Sequence, residues 1–374
     1  MKIKTVKPYP LTGGMYVKID TDEGICGIGE AGIRGQSVAI TAVINHLTPM
    51  LIDEDPMRTE YIWQKMFRGG FFPGGKILCS AISAIDIALW DIKAKAFDVP
   101  LYQLLGGAVR EKAVCYPHVG GRTIEQLIDS AQKRIQDGWK FVRFSVSSEG
   151  DILEPSRAVR NTIKEFEALR NAVGDDIEIC LDIHTRLDPM DSVTLCRALE
   201  QYRPYFLEDP LRSENPDSFR QFRQHVSAPL AIGEQFASKW EFRQIIEEEL
   251  TNYARIDLCI VGGITEAVKI AGWCETHYIN LALHNPLGPV STAACLHLDI
   301  ASSNFGVQEL PRVPGTVMTD VFPVQVEWED GYLLKPQRPG LGVEFDEEAA
   351  EKHPFQESGG VRLYKRLDGG LTNW

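Results

Sequence analysis

No apolar run in the 374-residue chain reaches the length of a membrane span, and the start, KIKTVKPYPL after Met1, has no signal-peptide pattern. No membrane role is expected. Basic residues are in deficit: 39 Lys and Arg against 52 Asp and Glu leave a net charge of −13. A general nucleic-acid binder needs a basic face, so that class is excluded. An anionic substrate would gain nothing from the overall field and would need a local cation. The eight cysteines form no C-x-x-C pair, and several sit inside apolar runs such as IEICLDI and RIDLCIV. They read as buried, reduced thiols of a cytoplasmic protein, not as a disulfide frame. The glycine pairs of FRGGFFPGGK lack the Lys-Ser/Thr of a phosphate loop and read as a mobile loop over a site.

Six polar residues stand at the ends of six apolar runs: Asp182, Glu208, Glu234, Asp257, His284 and Glu309. Successive members are 23 to 27 residues apart. A strand, a helix and two turns fill about that length. Each residue therefore takes the same place in successive strand–helix units. In a closed parallel barrel that place is the C-terminal mouth.

The chain up to residue 111 has a different texture. MYVKID and ICGIGEAG, joined at TDEG, predict an antiparallel hairpin. QSVAITAVINHLTPML and ILCSAISAIDIALWDIKAKAF predict helices, the second ended by Pro100. From residue 112 to 312, eight strand-like runs alternate with seven helix-like ones. The expected fold is α/β: a modified (β/α)7β barrel of the TIM type with an α+β capping domain. The Pro- and Gly-rich tail, 313–374, is expected to pack back on that capping domain.

Three converging carboxylates make an all-oxygen site that suits Mg²⁺. Such an ion stabilises the charge that grows when a proton leaves the carbon next to a carboxylate; the handling of that charge by metal and a Lys or His base is a known enolase-type arrangement. His284 is the candidate base, and Asp257 one strand earlier is placed to fix its tautomer. His184, two residues after Asp182, shares its face of the strand and is the candidate acid. An acid and a base over one metal site suggest β-elimination of water. Glu309 is a candidate for the substrate carboxylate or the proton network. Arg186 either binds a polyol hydroxyl or pairs with a nearby acid. Singly, each of these residues is more often a cap, an ion pair or a packed side chain; the ordered ladder is what carries the reading. His118 reads more readily as packing than as pocket, and Trp90 and Asp91 as helix packing and domain contact.

The segments TDEGICGIGE, SAIDIALWDIKAK, LYQLLGG, LDIHTR, FLEDP, VGGITEAVKIAG, HNPLGP and PGLGVEFDE run nearly end to end, and with them the chain resembles the enolase superfamily, mandelate racemase subgroup. Within it the likeness is to the galactonate dehydratase-like sugar-acid dehydratases, with HTRLDP similar to the mannonate-type branch. The resemblance implies Mg²⁺ on Asp182, Glu208 and Glu234, the dyad Asp257–His284 as base, His184 as acid and Glu309 at the substrate. It implies 2-keto-3-deoxy sugar acids as products, an even-numbered homo-oligomer, and capping loops GGMYV and FRGGFFPGGK that shape specificity. The chain departs from the family pattern on the second barrel strand. Arg143 and Ser145 replace a Lys-x-Lys or Lys-x-Asn pair. Gln235 follows Glu234 where an Arg is usual, and Asn285 follows His284 where a Cys is common. Arginine stays protonated, so Arg143 suits substrate binding better than base chemistry. That weakens a racemase reading and leaves dehydration intact. The alternatives are an epimerase or cycloisomerase on the same intermediate, or a sugar-acid-binding protein with little catalysis.

Overall fold

A computed structural model describes residues 1–356 and 363–372. Three antiparallel strands open the chain in the order β1 (Ile3–Leu11), β2 (Gly14–Thr21), β3 (Cys26–Ala31). Leu11 pairs with Gly14, so β1 turns into β2 through Thr12 and Gly13, whose φ of 110° a side chain would disfavour. The TDEG turn joins β2 to β3 as expected. Three helices follow: α1 (Ser37–Leu51), α2 (Thr59–Arg68) and α3 (Lys76–Ala96). Helix α3 lies so close to β3 that a Cβ on Gly29 would stand 1.8 Å from the Ala84 carbonyl oxygen. These elements enclose their own apolar core, with Val17, Ile19, Ile44, Trp63 and Ile85 at its centre.

The eight expected barrel strands are β4 (Lys112–Tyr116), β5 (Phe141–Ser145), β6 (Glu178–Asp182), β7 (Phe206–Glu208), β8 (Leu230–Ile232), β9 (Tyr253–Ala254), β10 (Asn280–Leu281) and β11 (Gln308–Glu309). β5 to β10 pair in sequence order, all parallel. Parallel bridges His118–Arg143 and Leu281–Phe305, with the parallel β11–β4 pair, close the ring. Seven helices link these strands: α4 (Ile124–Gln136), α5 (Pro155–Val173), α6 (Pro189–Leu199), α7 (Ser218–Arg223), α8 (Lys239–Glu247), α9 (Ile264–Thr276) and α10 (Pro289–Ala301). This is the (β/α)7β barrel.

Alternation along the strands stacks the interior in layers. Tyr116, Phe141, Cys180, Phe206, Ala231, Ala282 and Val307 form an apolar plug. One inward position further toward the C-terminal ends come Arg143, Asp182 and Glu208. Ser145, Asp182 and Glu208 lie side by side in register.

Beyond β11, strands β12 (Trp328–Glu329) and β13 (Tyr332–Leu334) form a hairpin whose second strand adds antiparallel to β4. The chain then returns over β1 and β2: Leu11 bridges Pro354, and Glu347 bonds Tyr9 and Lys18. Residues 363–372 take a different course and lie on the barrel's loop 149–154. The rest of the tail, 357–362 and 373–374, lies outside the described residues.

Helix α3 also ties the two cores together. Asp86 accepts the Thr265 backbone N–H at 2.9 Å, and Trp90 Nε1 donates to Thr265 Oγ1 at 2.8 Å. Asp91 accepts the N–H groups of Ile28 and Leu341. All eight cysteines are free.

Candidate active site

Each of the six ladder residues sits at, or within three positions of, the C-terminal end of its strand. Asp182, Glu208, Asp257 and Glu309 are buried; Glu234 and His284 keep a small opening to the cavity. The cavity, of about 410 Å³, is lined by His118, Arg143, Ser145, His184, Arg186, Glu234, Asp257, His284 and Glu309, with Ile33, Arg34, Ile260 and Leu287 at its edge.

His284 Nδ1–H donates to Asp257 Oδ2 at 2.7 Å. Asp257 is itself held, since its Oδ1 accepts the Cys259 N–H at 2.7 Å. His284 Nε2 points the other way, 3.5 Å from Glu234 Oε2. Burial disfavours a charge on this ring, but Glu234, Asp257 and Glu309 outweigh it and raise His284 to about 9. Glu234 responds in the opposite sense: burial opposes its charge, yet His284, Arg255 and His184 hold it down to about 2. β6 ends at Asp182, so His184 lines the cavity from the turn beyond the strand and not from the strand face expected for it; His184 and Thr185 have φ of 54° and 55°. Two consecutive left-handed non-glycine residues are costly, and such strain collects at functional sites.

Arg255 was not expected here. It is fully buried and faces inward two residues before Asp257. Its Nε donates to Glu208 Oε1 at 2.6 Å, Nη2 to Glu309 Oε2 at 2.7 Å, and Nη1 to the carbonyls of Ala282 and Leu283. The only sequence signal was an arginine inside the apolar run YARIDLCIV. Asp209, next to Glu208, is a second omission; burial and the nearby Glu234 and Asp182 raise it well above the usual carboxylate range. His118 faces the cavity rather than packing, with Nε2 2.7 Å from Glu309 Oε1. Burial and Arg143 lower its pKa against the pull of Glu309.

Asp182, Glu208 and Glu234 are linked through two arginines, Arg143 between Asp182 and Glu208 and Arg255 between Glu208 and Glu234, and do not form a closed cage. Among the described residues no three His, Cys, Asp or Glu side chains enclose an ion position. Instead Arg143 donates through Nη2 to Asp182 Oδ2, with its Nε 3.8 Å from Glu208 Oε2. Its Nη1 donates to Ser145 Oγ at 3.1 Å. A protonated guanidinium thus meets the need for positive charge. It does not meet all of it: Asp182 Oδ1 and Glu208 Oε2 are buried acceptors without a hydrogen-bond partner. Burial, backed by Asp182, pushes Glu208 well above the usual range despite Arg255 and Arg143. Orphaned, hard, crowded oxygens buried behind the cavity-lining Arg143 and Glu234 fit a small divalent cation.

The loops expected to shape the pocket do not reach it. GGMYV lies at the start of β2 with Tyr16 buried, and Phe71 and Phe72 of FRGGFFPGGK are 91% and 87% exposed. The capping residues at the cavity are Ile33 and Arg34, from the turn after β3. Arg34 donates to the Pro286 carbonyl, in the loop that carries His284.

Comparison with known proteins agrees with this architecture. Residues 4–106 match the mandelate racemase / muconate lactonizing enzyme N-terminal domain, and residues 126–349 the enolase C-terminal domain-like family. A D-mannonate dehydratase of Caulobacter sp. (strain K31) is 38% identical over 99% of this chain and 98% of its own. A D-galactonate dehydratase of Ralstonia pickettii is 36% identical over the whole of both chains. An enolase from Pantoea ananatis, solved with bound D-gluconate and Mg, superposes with a TM-score of 0.93 at 31% identity over the full length of both. With both halves matched and the relatives aligned end to end, the chain belongs to the enolase superfamily, in its mandelate racemase group, with galactonate and mannonate dehydratases among its relatives.

Proposed function

We propose that the protein is a Mg²⁺-dependent hydro-lyase that dehydrates a sugar acid, an aldonate of the galactonate kind, to the 2-keto-3-deoxy acid. The observation that carries this is the Asp257–His284 pair, oriented at 2.7 Å with Nε2 facing a cavity shared by His184 and the strand-end carboxylates Glu234 and Glu309. Binding alone needs no oriented base. Asp182, Glu208 and Glu234 are the residues to hold the ion, supported by their two orphaned oxygens. When bound, Mg²⁺ supplies an electrophile for the substrate carboxylate and offsets the charge that develops as the adjacent proton leaves.

The chain's own groups do the rest. His284 Nε2 would accept the C2 proton once a cation held by Glu234 offsets the carboxylate charge that otherwise keeps the ring protonated, while Asp257 holds Nδ1–H and the ring in place. His184 gives a proton to the departing C3 hydroxyl, which leaves as water. The resulting enol takes a proton at C3 and gives up its O2 hydroxyl proton to become the 2-keto acid. Arg143 releases Asp182 and binds a substrate carboxylate or hydroxyl. Arg255 and His118 hold Glu309 charged beside that end; burial opposes the charge, but Arg255 keeps Glu309 well below the usual range. Arg143 also favours dehydration over racemisation, since a permanent cation cannot serve as a second base.

The assignment extends to the setting. Among the described residues no helix is long and apolar enough to cross a membrane, and eight free thiols support a reducing cytoplasm. An even-numbered homo-oligomer is the expected assembly, measurable by light scattering. The division into a capping part (1–111), barrel (112–312) and tail (313–374) is supported by an apolar cluster drawn almost wholly from the capping part, while the barrel's cluster also takes in capping residues such as Tyr16 and Ile87 and tail residues such as Phe322. The functional test is a screen of aldonates and aldarates with Mg²⁺, reading 2-keto-3-deoxy products as semicarbazones. Turnover of one diastereomer supports the proposal. Deuterium uptake at C2 without loss of water would replace it with epimerisation.

A further inference from the structure

The last described segment of the chain does not follow the rest of the tail. Residues 364–372 fold back on themselves, with Thr372 N–H donating to the Tyr364 carbonyl and Lys365 bridging Leu371. This small hairpin is tied to the loop after β5. Lys365 N–H donates to the Asp151 carbonyl at 2.8 Å, and Leu153 N–H to the Lys365 carbonyl at 3.0 Å. Leu367 N–H donates to Glu154 Oε1 at 2.6 Å. A second tie reaches the turn after β6, where Arg366 stands 3.7 Å from Asp188. The segment therefore joins two loops of the barrel's C-terminal mouth.

Between those ties lies Tyr364, 3% exposed, with its ring 5.1 Å from the Arg186 guanidinium carbon. Arg186 lines the cavity in the same strained turn as His184. Its Nη1 donates to the Val146 carbonyl at 2.8 Å, while its Nε is buried without a partner. One edge of the guanidinium is thus fixed to the β5 loop, one face lies against Tyr364, and one donor is left to be satisfied. A buried unpaired donor is expensive unless a ligand oxygen completes it.

We infer that the C-terminal segment is a working part of the active site: Tyr364 positions Arg186, and Arg186 reads a hydroxyl of the sugar acid's polyol chain. This rests on the dehydratase reading above and adds where substrate discrimination comes from. Tyr364 touches no reacting atom; it acts through the stacked guanidinium.

The test uses the full-length protein with Mg²⁺ and the best aldonate from the screen. Tyr364→Leu keeps an apolar side chain in the buried slot but removes the aromatic face, and Tyr364→Phe keeps the face. Tyr364→Leu is expected to raise KM about tenfold, the loss of one stacking contact, with kcat within about threefold because ground and transition states share the contact. Calorimetric affinity for the aldonate should fall in step, and the unfolding midpoint should stay put. Tyr364→Phe should restore KM. Arg186→Ala should raise KM further, and adding Tyr364→Leu to it should change nothing more. Equal KM for wild type and Tyr364→Leu, or additive effects in the double variant, overturns the positioning role and leaves the dehydratase reading standing. A wild type that neither turns over nor binds any acid sugar overturns both.

Discussion

His284 and Arg255 are the two side chains on which the site depends most directly, and for different reasons. His284 faces the cavity with its far nitrogen fixed by Asp257. His284→Asn removes the base while keeping a polar group of similar size. Turnover should fall roughly 10²–10⁴-fold, the ordinary contribution of a positioned base, with the unfolding midpoint little changed. Retention of full activity would exclude His284 as the base. Arg255 works through charge balance, since it neutralises Glu208 and Glu309 where no water reaches them. Arg255→Met leaves both acids buried and uncompensated, so denaturant unfolding should show a loss of about 3–5 kcal/mol. The ladder residues were legible in the sequence because each ends an apolar run at a regular step. Arg255 was not: one arginine in a strand shows its partners only when strands β7, β9 and β11 surround it.

Among the elements, the contact between β3 and α10 carries a pH signature. Glu30, at the end of β3, accepts the backbone N–H groups of Gly288 and Ser291 at 2.8 Å each, capping the start of α10 across the two cores. Burial raises Glu30 to about 7 in spite of those donors and Arg34, with Asp257 adding to the rise. Burial likewise raises Asp86 to about 7 against its bonds from Thr265. A carboxyl raised in the folded state stabilises fully below its unfolded pKa, and that stability is lost as pH climbs through the folded value. The unfolding midpoint should therefore decline from about pH 4.5 to 7 through these two groups. Glu30→Gln, which cannot ionise, should flatten part of that decline. An unchanged pH profile would mean that Glu30 ionises normally. The helix–strand contact on the other side of β3 has no slack either. Gly29→Ala would drive a methyl into the Ala84 carbonyl, and should cost about 1–3 kcal/mol in denaturant unfolding, as overpacking does.

At the scale of the whole molecule, the barrel and the capping turn at Ile33 and Arg34 enclose one cavity, beside which Asp182 and Glu208 are left short of positive charge. Chelation with EDTA should abolish turnover, and added Mg²⁺ should restore it. Because the ion binds only the folded state, Mg²⁺ should also raise the unfolding midpoint as its concentration exceeds the dissociation constant. In Asp182→Asn, with one ligand charge gone, that rise should shrink. A midpoint indifferent to Mg²⁺ in the wild type would argue against the three carboxylates as its site.

The sequence by itself determined the architecture and the chemical cast. Periodicity separates an α+β opening from a barrel, and regular spacing puts Asp182, Glu208, Glu234, Asp257, His284 and Glu309 at one mouth, since strand ends in a parallel barrel share a face whatever the loops do. Tertiary structure alone decided which of these groups compensate one another. It set Arg143 against Asp182, Arg255 between Glu208 and Glu309, and His118 in the cavity instead of the core. It also sent Ile33 and Arg34 to the pocket edge in place of the Gly-rich loops, and the end of the tail to Arg186. These contacts join residues distant along the chain, and their sign and strength depend on burial. Local sequence pattern carries neither quantity, because both arise only when separate segments exclude water from the same space.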